Sequence, residues 1–187
     1  DKPGREPGYS QPGQAFEQTI QSDTEALLLP RVTVSAPEWW QAEHPDHSLT
    51  FDDGTKKGEC PASKLWRRQC EMYLRKFIRF CEENYGDRII GYHPAGQHTA
   101  EWFYYKSWQP QLSGFSPAMK NGFRRWLRDR YGSDNELKKA WDNAEATLDS
   151  AKVPSAQERM SATHGLFRDP RSERKVIDFY RYKQLAM

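Results

Sequence analysis

Between Ile89 and Tyr105 (IIGYHPAGQHTAEWFYY) the chain places one carboxylate, Glu101, among two imidazoles, His93 and His98. The amide of Gln97 and the rings of Trp102, Phe103, Tyr104 and Tyr105 complete the group. Carboxylates and imidazoles hold or move protons, and all the polar members form directed hydrogen bonds. Rings at this density build a core or line a sugar site. A second set, His44, His47, Asp52, Asp53 and Cys60, falls within residues 41–62 and has the side-chain types that ligate metals. Turn-forming Asp in a polar loop accounts for that set without a metal.

These groups need elements to position them. "LLLPRVTVSAP" is apolar and β-branched, as in a strand buried on both faces, with Pro30 at its entry and Pro37 at its exit. Residues 41–62 read as a long polar loop. Ser63 caps a helix over 63–85, marked by Leu65, Trp66, Cys70, Tyr73, Leu74, Phe77, Ile78 and Cys81, and Gly86 can take a left-handed cap. "DRIIGYH" then reads as a second buried strand, and the stretch containing Glu101 is its exit loop. Two apolar strands joined by a helical crossover predict a parallel pair, Val32–Ser35 beside Arg88–Tyr92. In parallel α/β folds, sites form at the carboxyl ends of strands.

The flanking pattern is helical. Residues 1–14 read as an irregular arm rich in Gly, Pro and charge, followed by a helix over Ala15–Leu27. Ser116-Pro117 starts a helix with Met119, Phe123, Trp126 and Leu127 inside, ending at Tyr131-Gly132. Ser133 with Glu136, and Ser155 with Glu158, have capping-box spacing. A last helix is expected from Pro170 onward, with Val176, Phe179, Tyr180 and Leu185 inside.

Composition narrows the function. The 187 residues carry a net charge of +2, with basic and acidic residues interleaved, which argues against a dedicated nucleic-acid binder. No apolar run approaches the roughly 20 residues of a membrane span. The aromatic content is 13 %, with seven Trp. The three Cys cannot all pair within the chain, so they read as small buried apolar residues and leave the compartment open.

Taken in order, "RVTVSAPEWWQAEHPD", "GECPAS", "YGDRIIGY" and "FRRWLRDRYGSDNELKKAW" resemble the catalytic barrel of family 42 β-galactosidase-type glycoside hydrolases. The matching elements are Pro37 to Trp40, His44-Pro45-Asp46, Cys60-Pro61-Ala62-Ser63, Ile90-Gly91-Tyr92 and the stretch from Phe123 to Trp141. The resemblance implies an α/β fold that is part of a (β/α)8 TIM barrel. The part is about the second helix through the fourth strand and its following helices, over residues 15–187, since a whole barrel takes roughly 250 residues. It also implies a retaining mechanism with two carboxylates, an acid/base after the fourth strand and a nucleophile outside this sequence.

On that resemblance Glu101 is the acid/base, with Trp102, His98, Gln97, His93 and Tyr104 as substrate-binding residues. Neighbouring rings would desolvate Glu101 and keep it protonated near neutral pH. His93 or His98 would bond a sugar hydroxyl, orient Glu101 or serve structurally. The family places Asn before its acid, where this chain has Ala100. Gln97 falls at the spacing of the family's Glu, four residues before Glu101. An insertion explains this, and so does loss of catalysis. Family members that hold zinc use further Cys after the acid, and none follows here, so no cofactor or metal is expected. The expected partners are a carbohydrate substrate and the remainder of the barrel or another copy of the chain, with no nucleic acid and no membrane. The alternatives are a carbohydrate-binding or structural relative without catalysis, or an unrelated α/β interaction domain.

Overall fold

The structure, a computed structural model, describes residues 8–165 and 167–187. Its elements are α1 (Ser10–Ser22), β1 (Arg31–Thr33), α2 (Glu38–Glu43), a 3-10 turn (Pro45–His47), β2 (Ser48–Thr50), β3 (Lys56–Glu59) and α3 (Lys64–Tyr85). They continue with β4 (His93–Ala95), α4 (Pro117–Tyr131), α5 (Asp134–Trp141), α6 (Ala156–Met160) and α7 (Arg174–Leu185).

β1 and β4 are parallel, with Arg31, Val32 and Thr33 opposite His93, Pro94 and Ala95. The second strand therefore lies just beyond the expected Arg88–Tyr92. That stretch contributes a single parallel bridge, Ile89 with Leu28. Proline explains the break. Pro30 and Pro94 have no N–H to give a ladder, so pairing is confined to short runs on either side. Among the bonds that remain are those from Leu28 N–H to the Arg88 carbonyl (2.8 Å), Ile90 N–H to Leu28 (3.0 Å), His93 N–H to Pro30 (2.9 Å) and Val34 N–H to Ala95 (2.7 Å).

The expected loop over 41–62 is mostly structured. α2 reaches Glu43, and β2 and β3 form an antiparallel hairpin. The polar composition conceals it because one face of the hairpin is fully buried: Leu49, Phe51, Glu59 and Cys60 are at most 1 % exposed. Gly58 is required there. It has φ +68°, and a Cβ would lie 2.1 Å from the Tyr105 ring.

α3 starts as expected, Ser63 Oγ accepting from the Trp66 N–H (3.1 Å). Gly86, however, is right-handed (φ −58°), and the chain turns instead through Arg88 and Ile89 N–H groups on the Tyr85 carbonyl. α1 begins five residues before Ala15, because Tyr9 is anchored on Phe80 (4.7 Å between centroids) and starts the helix. Asp23 ends it by taking the Glu25 N–H (2.9 Å), which leaves Leu27 and Leu29 exposed. Of the expected arm, residues 1–7 lie outside the described residues.

The main core sits between the hairpin and the C-terminal helices. Phe123 is its centre, fully buried, with Phe179 at 5.4 Å and Tyr182 at 5.7 Å. α7 presents Val176, Phe179, Tyr182 and Ala186 inward, at steps of three and four residues. Tyr180 and Leu185, expected inside, fall off that stripe and are exposed. α7 also starts at Arg174 rather than Pro170, because Glu173 holds the preceding turn through the Asp169 N–H (2.8 Å) and Arg168 (2.6 Å). Fully buried Asp178 ties three helices together. It accepts from Tyr131 Oη (2.5 Å) on α4 and Trp141 Nε1 (2.9 Å) on α5, and pairs with Arg174 (3.2 Å) on its own helix.

Phe123→Ala removes the ring on which α4, α7 and their aromatics converge. It is expected to lower unfolding free energy by about 3–5 kcal/mol, read as a fall in the urea midpoint at unchanged slope.

Candidate functional site

The site is built where β1 and β4 end. Past β1 the chain runs through Ser35 and Ala36, and past β4 through Gly96 and Gln97. Glu59, at the end of β3, reaches both exits. Its Oε2 accepts the Ala36 N–H (2.9 Å), and its Oε1 accepts from Gln97 Nε2 (2.6 Å), which also reaches the Glu59 carbonyl (3.2 Å). The Gln97 N–H meanwhile donates to Ser35 Oγ (3.1 Å). Glu59 is 0 % exposed and forms no ion pair among the described residues. Burial therefore raises its pKa, against the lowering effect of the bonds from Ala36 and Gln97.

Gln97 Oε1 is buried without a partner. Turning the amide over presents that oxygen to a protonated Glu59, so the neutral acid and the carboxylate each find a matching partner.

The loop that follows is unusual in its backbone. Gln97, Thr99, Ala100, Trp102 and Lys106 all have positive φ, leaving only Asp142 as a non-glycine of that kind elsewhere among the described residues. Each costs roughly 1–2 kcal/mol, and such strain collects at functional sites. Gly96 permits the tight return: a Cβ there would lie 3.1 Å from Val34 and 3.2 Å from the Trp102 ring.

The predicted site residues separate into three groups on this frame. Gln97 is 3 % exposed and engaged with Glu59. Tyr104 is buried in the main core, its hydroxyl donating to the Lys183 carbonyl (2.7 Å) and the Lys183 ammonium 4.1 Å above its ring. Burial, with Arg159 nearby, brings that lysine down to about 7. His93, Glu101 and His98 lie toward solvent: His93 and Glu101 are exposed, and His98 is half-buried against Trp108 (5.1 Å). Glu101 accepts one bond, from Thr99 Oγ1 (3.0 Å). The expected shielding of Glu101 by adjacent rings is not supplied within this chain. The left-handed turn at Thr99 and Ala100 swings the carboxylate outward, while Trp102 folds back and its indole N–H donates to the Pro94 carbonyl (3.1 Å).

A cavity of about 380 Å³ opens between β1 and α3, lined by Val32, Val34, Trp39, Trp66, Tyr73 and Phe77 and reaching Ser35 and Ala36 at the β1 exit, and none of the predicted site residues borders it. The residues expected as alternative metal ligands have other roles. His47 Nδ1 bonds Ser63 Oγ (2.8 Å), Asp53 holds the Thr55 N–H (2.9 Å) and Asp52 the Leu112 N–H (2.9 Å).

The family model described as beta-galactosidase, glycoside hydrolase family 42, matches residues 14–186. The chain belongs to that family. It is 28 % identical over 121 residues to the beta-galactosidase LacZ of Heyndrickxia coagulans, a match covering 60 % of this chain and 16 % of that protein. Beta-galactosidase structures from Bacillus circulans sp. alkalophilus and Halorubrum lacusprofundi align with TM-scores of 0.66 and 0.67 at 15 % and 17 % identity. They align over 100 % and 99 % of this chain, and 28 % and 26 % of theirs. The catalytic domain of a beta-amylase from Paenibacillus polymyxa gives 0.61 at 16 % identity, over 92 % of this chain and 48 % of that one. The fold is thus part of an α/β barrel, and the chain spans a small fraction of its family 42 relatives. The family 42 chain carries at its strand exits a buried carboxylate, Glu59, that sequence reasoning missed. Its signal would have been the hairpin, in which a charged residue alternates onto the same buried side as Leu49 and Phe51.

Glu59→Gln preserves the pairing, with the new amide donating to Gln97 Oε1 once that group turns over. Because the folded pKa of Glu59 lies above its ordinary 4.5, its neutral form is the stabilising one. That contribution is complete below 4.5 and is lost as pH rises through the raised value. The urea midpoint of the parent should therefore fall relative to Glu59→Gln as pH increases over that window, and parallel curves would exclude the assignment.

Proposed function

We propose that the protein containing this chain hydrolyses β-linked glycosides, β-galactosides among them, with Glu101 as the general acid/base. The observation that carries the reading is family membership over residues 14–186, joined to Glu101's place on the exit loop of β4. Glycosidic cleavage with retention needs an acid to protonate the departing oxygen and a second carboxylate to attack the sugar carbon. Glu101 has free access for the first task. In this reading its desolvation comes from bound sugar and from the strands that complete the barrel, and the second carboxylate lies beyond this chain. Glu59 and Ser35 hold the loop's root, and His98 stands beside the acid in sequence, ready to take a sugar hydroxyl.

A second reading is a carbohydrate-binding relative without catalysis. It is favoured by one observation: Gln97, at the spacing of the family's Glu, is a buried amide bonded to Glu59.

Glu101→Gln in the full-length protein separates the two. On the catalytic reading, kcat for substrates with poor leaving groups falls about 10²–10⁴-fold. Activated aryl glycosides lose far less, and azide restores part of their turnover. A crystal structure of the full-length protein should then place a second carboxylate about 5–5.5 Å from Glu101. Equal rates for parent and variant on both substrate types would transfer the assignment to the binding reading.

A further inference from the structure

The loop that carries Glu101 also carries an open ring cluster with no part in the core. Trp108 is 65 % exposed and Phe103 46 %. Their centroids are 5.2 Å apart with planes inclined by 57°, and the His98 ring lies 5.1 Å from that of Trp108 at 50°. Backbone bonding fixes the base of this cluster: the His98 N–H donates to the Phe103 carbonyl (2.9 Å), pinching the loop so that Glu101 stands at its tip between the two ring-bearing residues. Lys106, also left-handed, turns the chain back before Trp108. Strained backbone thus leaves large apolar rings uncovered within this chain, on the same loop as Glu101.

We propose that Trp108, Phe103 and His98 form a saccharide subsite that receives the leaving-group sugar of a β-linked substrate. This rests on the reading of Glu101 as the acid. The acid protonates the oxygen that departs with the leaving sugar, so that sugar lies against the acid's own loop. A pyranose ring offers a face of C–H groups to an aromatic ring and a rim of hydroxyls to polar neighbours. Here the inclined faces of Trp108 and Phe103 meet the first need, and the His98 imidazole and Thr99 hydroxyl meet the second. Stacked nucleic-acid bases do not fit. The exposed carboxylate at the tip repels phosphate, and the nearby Lys106 ammonium is directed to Thr55 Oγ1 (3.2 Å) and the Phe51 ring (4.5 Å).

The test compares two substrates of the full-length protein: a β-linked galactosyl disaccharide, and a β-galactosyl fluoride, whose leaving group has no ring to stack. Trp108→Ala should raise KM for the disaccharide about tenfold and leave kcat/KM for the fluoride unchanged, with Trp108→Tyr close to the parent. Equal losses on both substrates, or none on either, overturn the subsite. If the parent cleaves neither substrate, the catalytic reading fails by itself, and calorimetric titration with the disaccharide decides the subsite. Weaker binding by Trp108→Ala than by the parent upholds it, whereas equal binding, or none, overturns it. Loss of self-association in Trp108→Ala by sedimentation, with KM unmoved, would assign the rings to a contact between copies.

Discussion

One buried carboxylate holds the strand-exit end of this chain together. Glu59 stands at the end of a hairpin strand, yet its two oxygens take N–H groups from the exits of β1 and β4. Those strands share only three consecutive residue pairs and are interrupted by proline, so their own ladder cannot set the geometry of the loops beyond them. Two hydrogen bonds accepted by a fully buried side chain can. A charge buried without a cation is costly, and this one is tolerable because the acid also has a neutral form and faces an amide able to present either a donor or an acceptor.

The scaffold divides its tasks accordingly. Helices α4, α5 and α7 close around Phe123 and are cross-tied by Asp178, whose Oδ2 accepts from Tyr131 on α4 and Trp141 on α5 while its Oδ1 faces the Arg174 guanidinium. Stability is concentrated there and under the hairpin. The strand pair is thinly covered by comparison: Leu27, Leu29 and Ile90 are exposed around it, as fits a segment spanning about a quarter of its solved relatives' length. A barrel site shared among strands requires this arrangement, since its loops must leave the core and meet partners from elsewhere in the barrel.

The loop after β4 shows what the anchoring permits. Five non-glycine residues held left-handed within ten positions would relax if the root were loose. Fixed by Glu59, Ser35 and the close seat of Gly96 against Val34 and Trp102, the loop projects Glu101 outward and leaves Trp108 and Phe103 open. The side chains proposed for its chemistry contribute little to the fold, so substitutions there should separate activity from stability.

Local pattern by itself determined a good part of this protein. The caps at Ser63, Ser116, Ser133 and Ser155, the long helix and the inward face of α4 follow from residue types within a few positions of one another, and the parallel sense of the strand pair follows from the order strand, helix, strand. The ordered motifs likewise carried the family. Tertiary structure decided the rest. A polar stretch became a hairpin because Leu49, Phe51 and Cys60 found a core supplied by helices some sixty or more residues away. Tyr104, expected at the site, was drawn into that core by a carbonyl on α7. Glu59, which no local pattern distinguishes from a surface charge, became the anchor of these loops because two segments distant in sequence, the exits of β1 and β4, converge on it. Burial and hydrogen-bond pairing are properties of that convergence, and period and propensity cannot encode them.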